Sequence, residues 1–176
     1  MRVIATMERT DSRAEALDSF ESIYASHWNA VFRYCLALTR SVDEAEDDVA
    51  ETFHRAYGSW IGGKRPAGAP LAWLFLIARR IVIDRARRRR LGSLLRLGAP
   101  VPPPVDDAIR RSEVWLWFEQ LCLALPDRQR EVLVLRYHFD LPDDEIGRLM
   151  RLSPAGVRTL AARALAAIRR QPEVLD

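Results

Sequence analysis

The chain has 176 residues, of which 49% are apolar and 29% charged, a balance typical of soluble domains with ordinary buried cores. No apolar run approaches the ~20 residues of a membrane span, and the N-terminus lacks the pattern of a signal peptide. We therefore expect a cytoplasmic protein without membrane insertion. Two cysteines are too few for a disulfide framework.

Charge is distributed unevenly along the chain. Residues 1–58 carry 6 basic and 11 acidic side chains (net −5), residues 59–111 carry 12 and 3 (net +9), and residues 112–176 carry 9 and 10 (net −1). This segregation indicates more than one kind of partner, one of them a polyanion. All but one of the 27 basic residues are arginine, which favours bidentate contacts with phosphate and guanine.

The first half of the chain shows helical periodicity. Apolar residues recur at helical spacing from Phe20 to Leu38 and again from Asp43 to Tyr57. A loop rich in glycine and proline, residues 58–70, precedes a helix that we expect to run from Pro70 to Arg90. We interpret residues 18–90 as one domain, preceded by a flexible N-terminus over 1–17.

A proline-rich segment, residues 91–106, predicts a linker, because proline removes hydrogen-bond donors and favours extended backbone. Residues 107–171 form the second predicted domain. Its helical segments span 107–124, 126–137, 142–150 and 154–170. Nothing has the pattern of a strand. The sequence therefore predicts an all-α fold of two small helical domains joined by the linker.

The last two helical segments predict a helix-turn-helix. A short helix, a three-residue turn and a longer helix capped by Ser153 follow one another. The longer helix has a continuous apolar stripe, and its opposite face contains no acidic residue. A basic outer face is typical of a helix that enters the major groove. Periodicity alone leaves an ordinary pair of packed helices as the alternative.

A second basic surface is predicted on the helix after Pro70. Residues 79–90 contain seven arginines and one aspartate, which is typical of a cationic groove for single-stranded DNA. The alternative for its C-terminal end is a solvated basic tail. Trp73 has two interpretations, a contact with an extruded base or core packing. The candidate DNA-binding residues are Trp73, Arg79, Arg80, Arg85, Arg87 and Arg88.

An acidic helix precedes this basic one. Residues 41–51 hold six acidic side chains and no basic one, and four of them share one helical face: Glu44, Asp47, Asp48 and Glu51. Like charges at this spacing destabilise a helix by a few tenths of a kcal/mol each. We therefore expect an uncompensated acidic face that docks on a basic partner. The alternative is a face that is only solvated.

Taken in chain order, these segments resemble the extracytoplasmic-function sigma factors of bacterial RNA polymerase. Residues 20–38, 45–55 (AEDDVAETFHR) and 73–85 (WLFLIARRIVIDR) are similar to the second conserved region of that family. The segments beginning at Leu125 (LPDRQREVLVLRY), Leu141 (LPDDEIG) and Leu152 (LSPAGVRT) are similar to its fourth. The resemblance covers about residues 18–90 and 107–170.

The resemblance implies a non-enzymatic subunit, without cofactor or metal, that binds polymerase core and directs it to promoters. The N-terminal domain would read the −10 element as a melted strand, and the C-terminal domain the −35 element as duplex. The implied −35 contacts are Arg158, Thr159, Ala162 and Arg163. The implied polymerase contacts are Glu46, Asp47, Asp48, Glu51 and Phe53. An anti-sigma factor is a further candidate partner.

Some residues depart from the family pattern. Arg80 replaces an asparagine that helps to select a −10 base, and Asp48 replaces a leucine of the acidic motif. Gly147 stands where alanine is usual, and Arg151 where the turn usually has a small residue. We expect the promoter sequence of this chain to differ from the usual one.

Two other functions are compatible with parts of the sequence. A stand-alone helix-turn-helix regulator would use the C-terminal domain, but it needs neither an acidic docking helix nor a single-strand groove. A degenerate sigma-like protein would bind polymerase without initiating, in keeping with the alanine-rich recognition helix. The histidines His27, His54 and His138 are scattered and show no metal-ligand spacing with the cysteines.

Overall fold

The structure, a computed structural model, describes residues 2–64, 66, 68–95 and 125–170, with side chains over 19–64, 66, 68–89 and 125–170. Every regular element in these ranges is helical, which confirms the predicted all-α class. The elements are α1 (Arg2–Thr39), α2 (Val42–Ile61), α3 (Pro70–Leu95), α4 (Asp127–Leu133) continued by a π-helical turn (Val134–His138), α5 (Asp143–Met150) and α6 (Pro154–Arg169).

Two helix boundaries differ from the predicted ones. Helix α1 begins at Arg2, so the predicted flexible terminus is helical from that residue onward, in a stretch of 38 residues without glycine or proline to interrupt it. Helix α3 continues to Leu95, five residues into the predicted linker, because no helix-breaking proline occurs before Pro100. Residues 96–124, which include the remaining linker and the predicted helix 107–124, lie outside the described residues.

Helices α1, α2 and α3 pack against one another and form the N-terminal domain. An aromatic cluster joins α1 to α2, with the ring of Phe20 5.3 Å from Tyr57 and 5.9 Å from Trp60. Ser41 begins α2, since its hydroxyl accepts a hydrogen bond from the backbone N–H of Glu44. These contacts fix which sides of α2 and α3 remain exposed.

The C-terminal domain is built on α4, α5 and α6. Ser153 caps α6 as predicted, because its hydroxyl accepts a 3.1 Å hydrogen bond from the N–H of Gly156, and Pro154 occupies the first helical position. Helix α5 ends at Arg151 in the left-handed region, with φ 56° and ψ 54°. The buried face of α6 comprises Val157, Ala161 and Ala164.

The two domains are packed against each other. Helix α4 contacts α1, and α5 contacts α3, so that one continuous buried core includes residues of both domains. The ring of Phe139, just after the π-helical turn, lies 4.7 Å from Phe75 and 6.4 Å from Tyr34. The sequence predicts two domains but does not indicate that they share a core.

Candidate nucleic-acid and protein interfaces

Three arginines of α3 point into solvent. Arg80, Arg87 and Arg88 are exposed. Arg88 donates one hydrogen bond to the carbonyl of Asp84 within its own helix, and neither Arg80 nor Arg87 is paired with another residue of the described ranges. Exposed guanidinium groups can form charge-assisted hydrogen bonds with phosphate oxygens.

Arg85 and Arg79 are engaged within the chain instead. Arg85 lies between two carboxylates of α2, 3.4 Å from Asp47 Oδ2 and 3.1 Å from Asp48 Oδ1. Arg79 is directed to the C-terminal domain, where its Nε donates a 2.6 Å hydrogen bond to Glu131. The sequence pattern places both arginines on a predicted DNA-binding helix, but in this structure they pair with acidic groups of the same chain.

Glu131 accepts hydrogen bonds from two residues of the N-terminal domain. Its Oε1 receives both Arg79 Nε and the hydroxyl of Tyr34, the latter at 2.8 Å, while Oε2 receives Arg79 Nη2 at 3.3 Å. Burial lowers the pKa of Arg79, but the hydrogen bond and charge of Glu131 outweigh it, and the pKa is raised overall. Burial, followed by the charge of Glu131, raises the pKa of Tyr34, so this phenol stays protonated and acts as a donor. Sequence reasoning missed this cluster, because its members are 97 and 52 residues apart.

Trp73 is half-buried and packs against the core at the start of α3. Part of the side chain therefore packs in the core, which is one of the two interpretations given to Trp73 from the sequence. The remainder of the side chain is exposed to solvent.

The acidic face of α2 is largely compensated, so the prediction of an uncompensated face is wrong. Each of its four carboxylates has an arginine partner, on α3 or one turn along α2. The pairs are Glu44–Arg89, Asp47–Arg85, Asp48–Arg85 and Glu51–Arg55. Helix α3 packs beside α2 and supplies positive charge that no spacing within α2 reveals.

Two predicted polymerase contacts lie in the interior. Asp48 is completely buried, and this burial raises the pKa of its carboxyl to about 6 against the opposing charge of Arg85. Phe53 is 4% exposed and packs edge-on against the rings of Phe20 and Tyr24. In this conformation neither side chain is available to a partner, and both hold α2 against its neighbours. Glu46 and Asp47 remain exposed on the same helix.

The outer face of α6 is exposed as the sequence predicts. It presents Arg158, Thr159, Ala162 and Arg163 to solvent. The hydroxyl of Thr159 donates a 3.0 Å hydrogen bond to the carbonyl of Ala155 in its own helix. Within the described ranges Arg163 has no ion pair, and its guanidinium group is therefore available for a base edge or a phosphate.

Arg158 is joined to the preceding helix through Asp143. One carboxylate oxygen of Asp143 lies 3.4 Å from Arg158, and the other lies 3.3 Å from Arg136. This bridge connects the first turn of α5 to the second turn of α6. It restrains Arg158 at the edge of α6, whereas Arg163 has no ion pair with any described residue.

A groove of about 1270 Å³, rich in arginine, runs along the junction between α3 and the C-terminal domain. Arginines from both sides line it: Arg79, Arg80, Arg87 and Arg89 from α3, and Arg128, Arg148 and Arg151 from the C-terminal domain. The sequence predicts the first set but gives no sign that the second lies opposite. In the described ranges no group of three or more His, Cys, Asp or Glu side chains has a metal-binding arrangement. No described helix has the length and hydropathy needed to cross a membrane.

Two segments match sequence families. Residues 23–91 match the family described as Sigma-70 region 2, and residues 115–168 match Sigma-70, region 4. The first segment contains α2 and most of α3, and the second contains α4, α5 and nearly all of α6.

Individual relatives agree with these matches. The chain is 33% identical to the ECF RNA polymerase sigma factor ShbA of Streptomyces griseus over 78% of each chain. It is 29% identical to the ECF RNA polymerase sigma factor SigW of Bacillus subtilis, over 88% of this chain and 89% of that one. Its fold is similar to that of the sigma factor RpoE from Bartonella quintana, solved in complex with the anti-sigma factor NepR, with a TM-score of 0.76, 19% identity and coverage of 86% of this chain and 94% of that one.

Proposed function

This chain belongs to the extracytoplasmic-function sigma factors, the promoter-specificity subunits of bacterial RNA polymerase, and from that premise we propose which of its surfaces meet the promoter and the polymerase. The observation that carries the proposal is the presence of exposed arginines on two separate helices, α3 in the region 2 segment and α6 in the region 4 segment. A subunit that reads two promoter elements needs two such surfaces.

The −10 element is assigned to α3. Arg80, Arg87 and Arg88 hold the phosphates of the melted strand, with the half-buried Trp73 beside the bases. Arg80 stands at the position where the family selects a base, and its forked donor set favours guanine over the adenine-type pairing of asparagine. Arg85 pairs with Asp48 of α2 and so holds α3 beside α2. Arg79 becomes available to the DNA strand when its hydrogen bond to Glu131 is broken.

The −35 element is assigned to the outer face of α6. Arg163, which carries no restraint from another described residue, reaches a base edge, and Arg158, held by Asp143, contacts a phosphate. Ala162 offers only methyl contact to thymine, and Thr159 adds a short polar side chain. Few groups on this face read bases, so the domain recognises a short sequence.

The polymerase surface is assigned to the exposed side of α2. Glu46 and Asp47 meet the basic partner directly, and Glu51 lies at the edge of the same surface. Asp48 and Phe53 act by holding α2 in place, because both are buried. When a charge pair is desolvated at an interface, truncation of one partner reduces the binding free energy by about 2–5 kcal/mol.

Core polymerase, promoter DNA and an anti-sigma factor are the partners that this function implies. The last is supported by the complex in which the similar fold of RpoE was solved. The chain supplies specificity, and the chemistry of RNA synthesis belongs to the core enzyme. It acts on the chromosome together with the polymerase, in the cytoplasm.

Run-off transcription from a promoter library, with core polymerase in the presence and absence of the chain, tests this function. Transcripts that depend on the chain and share −10 and −35 sequences are expected. The variant carrying Glu46→Lys and Asp47→Lys should lose both transcription and co-purification with core, whereas Glu145→Lys, a reversal in the C-terminal domain, should retain both. Binding to core without transcripts from any promoter would instead indicate a degenerate sigma-like protein. Binding to duplex DNA without binding to core would indicate a stand-alone regulator.

A further inference from the structure

Arg85 lies at the boundary between the buried stripe of α3 and the exposed arginines of that helix. It follows the buried Ile81 and Val82 by four and three residues, and it precedes the exposed Arg88 by three. Its side chain is 29% exposed, so the guanidinium group lies near the surface although it is turned toward α2. An arginine side chain has several free torsions, and at such a boundary it can point either to α2 or to the face that carries Arg88. The charges that it meets on α2 decide between the two orientations.

Asp48 is the residue of α2 that holds Arg85 in this orientation. Its carboxylate is completely buried, its Oδ1 lies 3.1 Å from Arg85 Nε, and neither of its oxygens accepts a hydrogen bond from a described residue. A buried charge that loses its partner is strongly unfavourable, so the ion pair resists separation. The second carboxylate near Arg85, that of Asp47, is 74% exposed and is screened by solvent. The neighbouring Arg89 is itself paired with Glu44.

The sigma-factor family usually has leucine where this chain has Asp48. A leucine at this buried position carries no charge, and it would leave an arginine at position 85 without a buried partner. The aspartate therefore introduces, within the chain itself, a competitor for the guanidinium group of Arg85.

We propose that Asp48 is a positioning residue that withholds Arg85 from the melted promoter strand and so lowers the affinity of this chain for single-stranded DNA. The ion pair takes the place of one phosphate contact, because a guanidinium group that is paired with Asp48 is not available to a phosphate. The exposed arginines of α3 are left to bind the strand without Arg85. The inference rests on the proposed function only in assigning α3 to that strand.

The affinity of the full chain for a fluorescent 20-nucleotide single strand, measured at several salt concentrations and pH 8, tests the proposal. At this pH the carboxyl of Asp48, whose pKa burial raises to about 6, is ionised. Asp48→Leu removes the carboxylate and places the usual residue of the family in the core, so circular dichroism should show unchanged helical content. Release of Arg85 should tighten binding about 3- to 10-fold at low salt. It should also steepen the slope of log affinity against log salt by about 0.7, the effect of one additional phosphate contact.

Three control variants separate the release of Arg85 from a change in net charge. Asp43→Asn removes one negative charge from an exposed site on α2, and it should match the unaltered chain within about twofold. Asp48→Leu combined with Arg85→Ala leaves no buried charge, and it should return both affinity and slope to those of the unaltered chain. Asp48→Leu combined with Arg55→Ala also removes one arginine, yet it should keep the gain, because Arg55 lies on α2 and is paired with Glu51.

Equal affinity and slope for the unaltered chain and Asp48→Leu would overturn the proposal and leave the promoter function intact. A gain that survives the loss of Arg85 would also overturn it, since net charge would then be the cause. So would a variant with both Asp48→Leu and Arg85→Ala that binds more weakly than the unaltered chain, because Arg85 would then contact DNA despite its ion pair. If no chain binds the strand at any salt concentration, the assignment of α3 to the −10 element fails, and the withholding of Arg85 fails with it.

Discussion

Gly147 approaches the carbonyl group of Leu152 so closely that a Cβ atom on residue 147 would lie 2.6 Å from that oxygen. The backbone N–H of Leu152 also donates a 2.9 Å hydrogen bond to the carbonyl of Gly147. The turn of the helix-turn-helix is therefore closed by a direct contact between the two backbones. The close contact explains why this chain has glycine where the family usually has alanine.

Gly147→Ala should destabilise the protein. Helix propensity alone would favour the alanine by about 1 kcal/mol, but the clash with backbone at 2.6 Å requires a shift of the turn that costs about 1–3 kcal/mol. Urea unfolding followed by circular dichroism measures the net loss. Gly58→Ala in α2 is the control, because nothing lies within 4 Å of its added Cβ and the substitution should stabilise by up to about 1 kcal/mol. A stabilising effect of both substitutions would show that the turn is not constrained by this contact.

Asp48→Asn should stabilise the protein at neutral and alkaline pH. The folded chain raises the pKa of Asp48 from 3.8 to about 6, so the folded state binds this proton more tightly than the unfolded state. Stability due to this group is consequently present at low pH and is lost as the pH rises from about 4 to 6. The loss amounts to about 2–3 kcal/mol above pH 6, which the asparagine should recover in large part.

The measurement is the free energy of unfolding between pH 4 and 8 for both chains. Asp47→Asn is the control, because Asp47 is 74% exposed and its contribution is screened by solvent. The difference between Asp48→Asn and the unaltered chain should widen from pH 4 to pH 6 and stay constant above it. A difference that narrows over that range would mean that Arg85 stabilises the charged carboxylate more than burial destabilises it.

Arg163→Ala and Arg158→Ala should have different effects on duplex binding. Loss of a base contact by Arg163 should cost about 1–3 kcal/mol and relax the preference at one position of the −35 element. Loss of Arg158 should weaken binding to all sequences alike and lower the salt dependence, because a phosphate contact carries no sequence information. Binding of the full chain to a −35 library at two salt concentrations separates the two results. Uniform losses in both variants would mean that α6 positions the protein without reading bases.

Arg87→Ala combined with Arg88→Ala should lower both the affinity for single-stranded DNA and its dependence on salt. Each lost phosphate contact reduces the slope of log affinity against log salt by about 0.7 for single strands. Arg55→Ala removes an exposed arginine that is paired with Glu51 on α2, and it should leave the slope unchanged. If the slope of the double variant is unchanged, single-stranded DNA binds to another surface of the protein.

Arg80→Asn should change the −10 preference more than the overall affinity. Arginine donates two hydrogen bonds to guanine, whereas asparagine pairs with adenine, so the preferred base at one position should change. Sequencing of transcripts from a −10 library with each holoenzyme gives the comparison. If the unaltered chain and Arg80→Asn prefer the same −10 sequence, Arg80 does not select a base.

The sequence by itself determined the all-helical class, the Ser153 cap of α6 and the exposed outer face of that helix. These features depend on spacings of three to eleven residues, and such local patterns are fixed by the geometry of one helix. Ser153, Pro154 and the acid-free outer face of α6 could be identified in this way, as could the arginines of α3.

Only the tertiary structure decided which of the charged residues remain free. Asp48 belongs to an acidic face by its spacing, but packing of α3 beside α2 buries it against Arg85. Arg79 belongs to a basic helix by its spacing, but packing of the C-terminal domain brings it into an ion pair with Glu131, 52 residues away. The reason is that the energy of a charge depends on its burial and on its nearest partners, and both are set by parts of the chain that local periodicity cannot relate to one another.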